Sequence, residues 1–226
     1  MSFDAICSTC GAPSSPSVGI CPFCKSVMSS GVSNEPVATA SFIKLYNEGK
    51  LERALALGIS LYKSKPDLKT DLPFLLMLVK VLFESEAPSS QIRGILAEAN
   101  LIAPETTEVL DYLEILEAKN CLKKGINDAG ELMLKNILRR SPENVHAHFL
   151  LGTHLFWVDN ESPLAIPHLE TCVRLQPYFL RAWGCLGAIY KKMGNAQLAQ
   201  MAFSKCASIE SNPSMREFFM MQAKAS

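Results

Sequence analysis

The sequence predicts an all-α fold, an α-solenoid of about five helical hairpins followed by a C-terminal helix that caps the array. Five prolines recur at intervals of 38, 38, 35 and 36 residues, and a period in the thirties is typical of stacked repeats. A short break divides each interval, and apolar residues on both sides of it follow helical spacing. Such an array presents an extended surface and favours binding over catalysis. The prolines are Pro66, Pro104, Pro142, Pro177 and Pro213.

The clearest hairpin runs from Leu180 to about Ser211. Apolar residues of its first helix recur at i, i+3, i+4 and i+7, which places them on one helix face. Gly194–Asn195 breaks that helix, and a second helix with the same kind of spacing follows. The pattern is carried by Trp183, Leu186, Gly187 and Tyr190 in the first helix and by Ala199, Phe203 and Cys206 in the second.

Four further hairpins are predicted upstream, each with its own break between two stretches of helical spacing. Gly187 and Ala199 of the clearest hairpin are small where two helix axes must approach closely, so we expect a short turn and antiparallel helices throughout. The upstream breaks are Gly49–Lys50, Ala87–Pro88, Gly125 and Asp159–Asn160.

These patterns resemble the tetratricopeptide repeat family, in which a helix with Trp, Leu, Gly and Tyr at this spacing precedes one with Ala, Phe, Ala and a closing Pro. Residues 145–213 match the pattern well, whereas residues 36–142 match by period and breaks. The resemblance covers about four-fifths of the chain. It implies a right-handed superhelix of paired helices, with a concave groove lined by the first helix of each pair.

Four of the eight cysteines form two Cys-x2-Cys pairs, Cys7 with Cys10 and Cys21 with Cys24, separated by ten residues. Four thiolates arranged tetrahedrally suit zinc or a single iron atom. About thirty residues with few large apolar side chains cannot build a core alone, so metal ligation would supply the folding energy. Four protein ligands leave no position for water or substrate. We therefore expect a structural zinc site, with iron and redox dithiols as the alternatives.

This segment resembles zinc-ribbon and rubredoxin-like knuckle modules over about residues 5–27. The resemblance rests on Cys-x2-Cys-Gly, the ten-residue spacing and Cys-Pro-x-Cys, and it implies metal binding only. Lys25 stands where many such modules have glycine, and a single basic residue argues against a nucleic-acid surface. The sequence thus divides into a zinc-ribbon-like module (1–28), a flexible linker (29–36), the repeat array (37–213) and a C-terminal capping helix (214–226).

Composition narrows the function further. The chain has twenty-two basic and twenty-two acidic side chains, so its net charge does not attract it to nucleic acid or to an anionic membrane. The first residues lack the pattern of a secretory signal, and the most apolar run, Leu72 to Phe83, is too short to span a bilayer. We expect a soluble cytoplasmic protein without membrane insertion.

A second cluster of potential chemistry lies in the fourth hairpin, where His168 and Cys172 are one helical turn apart. Cys172 and Cys206 occupy equivalent small-residue places in consecutive repeats, which indicates packing and not a nucleophile or a metal ligand. No triad, phosphate loop or paired carboxylates appear elsewhere, so we predict no enzyme activity. The histidines of this cluster are His146, His148, His154 and His168.

An acidic run in the third hairpin has acids every three residues, a spacing that spirals around a helix. Lysines end the same helix, and the helix dipole favours acids at its start and bases at its end, so this run needs no binding partner. The acids are Glu105, Glu108, Asp111, Glu114 and Glu117.

The predicted groove indicates the kind of partner. From Thr171 onward the chain holds seven Lys or Arg against two Glu, and the groove is partly aromatic and partly basic. It suits an acidic peptide or helix that carries apolar anchors, although a merely solvated basic face is the alternative. By the family resemblance the groove residues are Tyr112, Ile115, Lys119, Leu122, His146, Phe149, Thr153, Phe156, Trp157, Arg181, Lys191 and Lys192.

The tail from Ser214 to Lys224 is predicted to cap the array, since a terminal repeat needs one solubilised outer face. Its side chains are unusually apolar at Met215, Phe218, Phe219 and Met221. We expect them to be buried against the last hairpin, with docking onto another chain as the alternative.

The sequence therefore predicts an adaptor or scaffold that binds a protein partner in the concave groove of a metal-capped array. The alternative is a regulator whose knuckle module docks onto a protein or nucleic acid while the helices mediate dimerisation. The partner's identity and the oligomeric state are not predicted.

Overall fold

The computed structural model describes residues 5–6, 13–14, 35–158 and 162–225. Residues 1–41 and residues 42–226 form two compact units. In the first, β1 (Ala5–Ile6) pairs antiparallel with β2 (Pro13–Ser14), with Ala5 opposite Ser14. The predicted knuckle cysteines Cys7, Cys10, Cys21 and Cys24 lie outside the described residues.

From residue 35 onward, the regular structure of the described residues is entirely helical, which confirms the predicted all-α class. No described helix is long and apolar enough to cross a membrane. The helices are α1 (Glu35–Asn47), α2 (Leu51–Ser64), a 3-10 helix (Pro66–Thr70), α3 (Leu72–Glu84), α4 (Ser89–Ile102), α5 (Thr107–Lys123), α6 (Asn127–Arg140), α7 (Val145–Trp157), α8 (Ser162–Leu175), α9 (Leu180–Lys192), α10 (Ala196–Ile209) and α11 (Pro213–Lys224).

The helices pair in sequence as α3–α4, α5–α6, α7–α8 and α9–α10, as predicted, and α11 packs on α10. In the first hairpin Gly58 of α2 lies against the Phe42 ring of α1. Three of the predicted breaks place glycine at a turn with positive φ: Gly49 at 73°, Gly125 at 76° and Gly194 at 73°. In the second hairpin Glu86, at φ 57°, takes that place. The fourth break, Asp159–Asn160, lies in the gap between the described residues.

Proline and asparagine set the other ends of the helices. Pro104, Pro142 and Pro177 follow the ends of α4, α6 and α8, where the missing N–H cannot disturb a helix. Asn144 caps α7 by accepting from the N–H of Ala147 at 3.0 Å. The proline period therefore marks the loops that connect the second helix of one hairpin to the first helix of the next.

Close helix contact involves a glycine in four of the five hairpins. A Cβ added at Gly187 of α9 would stand 2.7 Å from the Phe203 ring of α10. Glycines at related contacts are equally crowded, at 2.6 to 2.9 Å from a side chain of the same hairpin or of the next. They are Gly58, Gly130 and Gly152.

The acidic run on α5 contributes more to the fold than the sequence predicts. Asp111 is 2% exposed, and its Oδ1 accepts from Nε of Arg140 on α6 at 2.6 Å. Arg140 also reaches Glu114 at 2.5 Å, and Glu108 pairs with Lys80 of α3 at 2.8 Å. The prediction that these acids need no partner outside the chain is untested, but within the chain they join neighbouring helices.

The capping helix is present, but the predicted burial of its apolar side chains is wrong for three of the four. Met215, Phe218 and Met221 are exposed, and Phe219 is half-buried. The reason is geometric, since one helix can bury only one stripe against α10, and Phe219 and Ala223 occupy that stripe.

Candidate functional site

The concave side is crossed by hydrogen bonds between hairpins that are far apart in the chain. Oε1 of Glu84, at the end of α3, accepts from Nε2 of Gln176 at 2.6 Å and from the hydroxyl of Tyr46 on α1. Arg181 on α9 pairs with Glu86 at 2.5 Å. The first two hairpins therefore contact the segment between the fourth and fifth hairpins across the concave side.

Two further contacts support this closure. The Tyr178 ring lies so close to Gly49 that an added Cβ would stand 2.7 Å from it. Near the other end of the repeat array, the hydroxyl of Ser211 donates to Oε2 of Glu52 at 3.1 Å. In an open solenoid, each repeat contacts only its neighbours. The contacts between distant hairpins therefore distinguish this array from an open solenoid.

Aromatic rings fill the space that the closure encloses. Neighbouring rings have centroids 4.7 to 6.0 Å apart, and all of them are buried. The guanidinium of Arg181 lies over Phe149 at 4.7 Å from the ring centroid. The rings are those of Phe83, Tyr112, His146, Phe149 and Phe179.

The twelve predicted groove residues on the first helices differ in their exposure. Five of them are buried in this conformation, and whether they bind a partner stays a prediction: Tyr112, Ile115, His146, Phe149 and Phe156. Four are half-buried: Lys119, Leu122, Thr153 and Arg181. Three are exposed: Trp157, Lys191 and Lys192.

The buried polar groups on the concave side have shifted pKa values. Burial raises the pKa of Glu84 to about 7, although the hydrogen bonds from Tyr46 and Gln176 and the charge of Arg181 oppose this. Burial lowers the pKa of His146 to about 3, helped by the charges of Lys80 and Arg181, so the ring is neutral at pH 7. The two groups lie close together, with Nε2 of His146 3.7 Å from Oε1 of Glu84.

His146 and Tyr112 also line a cavity of about 460 Å³, and Nδ1 of His146 lies 3.1 Å from the Tyr112 hydroxyl. Lys80 and Glu108 on its wall pair with each other. Among the described lining residues there is no serine or cysteine to act as a nucleophile.

The open part of the predicted groove lies where the first helices end. Trp157, the last residue of α7, is 66% exposed, and Val158 beside it is also exposed. Its ring centroid is 4.4 Å from that of Phe156, and Nζ of Lys192 lies 5.4 Å from the Phe156 centroid. Burial raises the pKa of the nearby Cys185 thiol to about 11.

Lysines lie in the last turns of α5 and α9. Because α5, α7 and α9 are each followed by an antiparallel partner and pack side by side, their C-terminal ends meet at one edge. Burial lowers the pKa of Lys119, and the nearby charges of Lys123 and Arg181 add to the shift. We call this surface the basic edge: Lys119, Lys123, Lys124, Trp157, Lys191 and Lys192.

The histidine and cysteine cluster of the fourth hairpin is structural. Cys172 is buried and its thiol donates to the carbonyl of Val145 at 3.3 Å, and burial raises its pKa. Its counterpart Cys206 is buried in the same way, as predicted. His168 pairs with His148, whose Nδ1 lies 2.8 Å away, and not with Cys172. Within the described part of the chain, no three His, Cys, Asp or Glu side chains cluster as metal ligands would.

Sequence reasoning missed Glu84 and Gln176. Glu84 carries a signal, because it is an acid directly after the apolar run Leu72–Phe83, and a buried carboxylate needs donors. Gln176 carries none, since its position just before Pro177 is typical of any loop.

The fold of residues 42–225 is that of a tetratricopeptide-like α-solenoid, in which antiparallel helix pairs stack in sequence. It is similar to the crystal structure of a tetratricopeptide repeat protein from Parabacteroides merdae, with 13% sequence identity and a TM-score of 0.52 over 83% of this chain and 70% of that chain. A crystal structure of MamA is 18% identical over 77% of this chain and 96% of its own, with a TM-score of 0.43. No protein-family model and no curated protein matches the sequence.

Proposed function

We propose that this chain is a non-catalytic scaffold that binds a protein partner at the basic edge, with Trp157 as the anchor. The observation that carries the proposal is the exposure of Trp157, 66% of whose surface faces solvent. Tryptophan is costly to leave in water and dominates the energetics of many interfaces. The tetratricopeptide-like fold supports a binding role, because such arrays present side chains from several helices on one surface.

The surroundings of Trp157 indicate the chemistry of the partner. Lysines lie in the last turns of α5 and α9, and Lys192 lies over Phe156, whose ring contacts Trp157. Complementary charge would speed association and select the partner. The partner segment is therefore acidic and carries an apolar side chain that packs on the indole. The buried rings of the concave interior take no part in this contact, since they are closed off in this conformation.

The intrinsic fluorescence of the chain offers a direct test, because it contains two tryptophans. A Trp183→Phe variant leaves Trp157 as the reporter. We expect its emission to shift when peptides of Asp and Glu with one central Leu or Phe are added, and to stay constant with peptides of Lys and Leu. Equal responses to both peptide classes, or to a single-stranded oligonucleotide, would contradict the proposal.

A matched pair of lysine variants tests the charge. Lys123 and Lys63 are both exposed lysines in the last turn of a helix, α5 and α2 respectively. We expect Lys123→Glu to weaken binding of the acidic peptide several-fold and Lys63→Glu to leave it unchanged. The same loss in both variants would show that only net charge matters.

We also propose a structural zinc ion at Cys7, Cys10, Cys21 and Cys24. The support is the donor set, because four thiolates at paired spacing suit tetrahedral Zn²⁺. Elemental analysis of the full chain should find one zinc per chain, and Cys21→Ser should reduce it. Iron in place of zinc, or no metal at all, would overturn this assignment.

A further inference from the structure

The turn between α3 and α4 carries a glutamate where three other hairpin turns have glycine. The N–H of Ala87 donates to the carbonyl of Leu82 at 3.0 Å, and this bond closes the end of α3 around Glu86, whose φ is 57°. The turns after α1, α5 and α9 have the same bond, with glycine at this place. A positive φ is unfavourable for a residue with a Cβ, so the exception indicates a use for the Glu86 side chain.

The side chain of Glu86 reaches across the concave side to α9. Its Oε1 lies 2.5 Å from Nη2 of Arg181. The Arg181 guanidinium also lies over the Phe149 ring, 4.7 Å from the ring centroid. The ring therefore covers one face of the guanidinium, while a carboxylate of the chain itself pairs with one of its nitrogens. This arrangement fixes Arg181 so that its N–H groups are presented to a carboxylate.

Lys119 on α5 is a second cation near Glu86. Its Nζ lies 5.9 Å from the centroid of the Phe83 ring at the end of α3. Burial lowers the pKa of Lys119, and the charge of Glu86 opposes this shift. A charge acts on the ammonium in this way only when it lies close, because salt and water screen more distant charges. The Glu86 carboxylate thus interacts with two cations from different hairpins, Arg181 and Lys119.

We propose that Arg181 and Lys119 form a binding site for an acidic side chain of the partner, and that Glu86 occupies this site as an autoinhibitory ligand. This role of Glu86 rests on the proposed function, because Lys119 also belongs to the basic edge at which the acidic partner binds. A carboxylate of the partner replaces that of Glu86 on Arg181, so the guanidinium is paired before and after the exchange. An uncharged side chain would leave both cations without a counter-charge, and the site therefore selects an acid.

The pair of Glu86 with Arg181 is exchangeable because both side chains reach solvent. They are 64% and 37% exposed, and ion pairs at such exposure contribute little to stability. The neighbouring contact is different, since Glu84 is buried and accepts from Nε2 of Gln176 at 2.6 Å. Glu84 therefore keeps the turn between α3 and α4 in place while the Glu86 side chain rotates away from Arg181. The exchange requires no opening of the array.

Titration of the full chain with glutarate, a small dicarboxylate, tests the site at constant ionic strength. The Nε–H resonance of Arg181 in NMR spectra reports binding, and its loss in Arg181→Lys identifies it. We expect Glu86→Gln to bind glutarate about three- to fivefold more tightly than wild type, which corresponds to the contribution of an exposed ion pair. Glu105→Gln, at an exposed acid before α5, makes the same change in net charge and should leave the affinity unchanged. Circular dichroism checks that each variant is folded.

Titration of the same variants with the acidic peptide separates this site from the proposed partner site. We expect Glu86→Gln to bind the peptide more tightly by a similar factor. The autoinhibitory role is overturned if glutarate binds Glu86→Gln and wild type equally, if Glu105→Gln gains as much, or if the Arg181 resonance does not respond in Glu86→Gln. A gain for glutarate without binding of the peptide would support the acid site and contradict the proposed partner, so the two failures are distinguishable.

Discussion

Gln176 and Glu84 are 92 residues apart in the chain, yet Nε2 of Gln176 donates to Oε1 of Glu84 over 2.6 Å. The bond joins the end of α3 to the loop before α9. Arrays of stacked repeats usually have contacts between neighbours only, and their stability is then close to a sum over repeats and adjacent interfaces. In this protein the stability of the second hairpin depends on the fifth as well.

Removing the donor should therefore destabilise the whole array. We expect Gln176→Ala to lower the free energy of unfolding by about 1–3 kcal/mol, because a buried carboxyl loses a hydrogen bond. Gln200→Ala, at an exposed position on α10, should change it by less than about 0.5 kcal/mol. Urea unfolding followed by circular dichroism measures both, and equal effects would show that the bond contributes nothing to stability.

The pH dependence of the free energy of unfolding should contain separate contributions from Glu84 and His146. The pKa of Glu84 is raised from 4.5 to about 7, so its stabilising contribution is complete below pH 4.5 and is lost as pH rises through 7. The pKa of His146 is lowered from 6.5 to about 3, so its contribution is complete above pH 6.5 and is lost as pH falls through 3. Between pH 4.5 and 6.5 the two slopes have opposite signs and offset each other.

A Glu84→Gln variant removes the contribution of Glu84 to the pH dependence of stability and leaves that of His146. Its stability relative to wild type should fall by on the order of 3 kcal/mol as pH is lowered from about 7 to 4.5. Urea unfolding at several pH values measures the difference. A difference that is constant over this range would mean that Glu84 has an ordinary pKa in the folded protein.

Two glycines of α9 provide a matched test of helix packing. At Gly187 an added Cβ would stand 2.7 Å from the Phe203 ring, whereas at Gly184 nothing lies within 4 Å. We expect Gly187→Ala to destabilise by about 1–3 kcal/mol through overpacking. Gly184→Ala should stabilise by about 0.5–1 kcal/mol, because alanine is the better helix former. Thermal unfolding of the two variants checks the opposite signs, and the same sign in both would contradict this account of the contact.

Neighbouring arginines on α6 test the buried acid of α5. Arg140→Ala leaves Asp111, which is 2% exposed, without its ion pair, and we expect a loss of about 2–3 kcal/mol because Arg140 is itself partly exposed. Arg139→Ala removes an exposed hydrogen bond to Asn136 and should cost less than about 0.5 kcal/mol. Chemical denaturation at pH 7 distinguishes the two, and a small effect of Arg140→Ala would mean that Asp111 finds another donor.

Local sequence signals were sufficient for the helices. Gly49, Gly125 and Gly194 mark turns because each takes a positive φ, and Pro142 marks the end of α6 because it cannot continue a helix. Gly187 was predicted as a close contact because it is small where two helix axes must approach, and the structure confirms the contact through Phe203. Each of these features depends on residues within one hairpin.

The burial of Tyr112, Phe149 and the three other buried groove positions was not predicted, for a different reason. Helical spacing tells which face of α5 or α7 points to the concave side, but not how far away the opposite wall is. That distance depends on a small rotation between successive repeats, which accumulates along the array.

The sequence by itself therefore determined the all-α class, the turns between helices and the pairing of helices in hairpins, because turn chemistry and apolar spacing are local. Only the tertiary structure decided that Glu84 meets Gln176, that the inner rings are covered and that Trp157 and Phe218 are not. The physical reason is that burial depends on which elements meet in space, and the meeting of α3 with the loop before α9 is set by the accumulated superhelical rotation of the repeats between them.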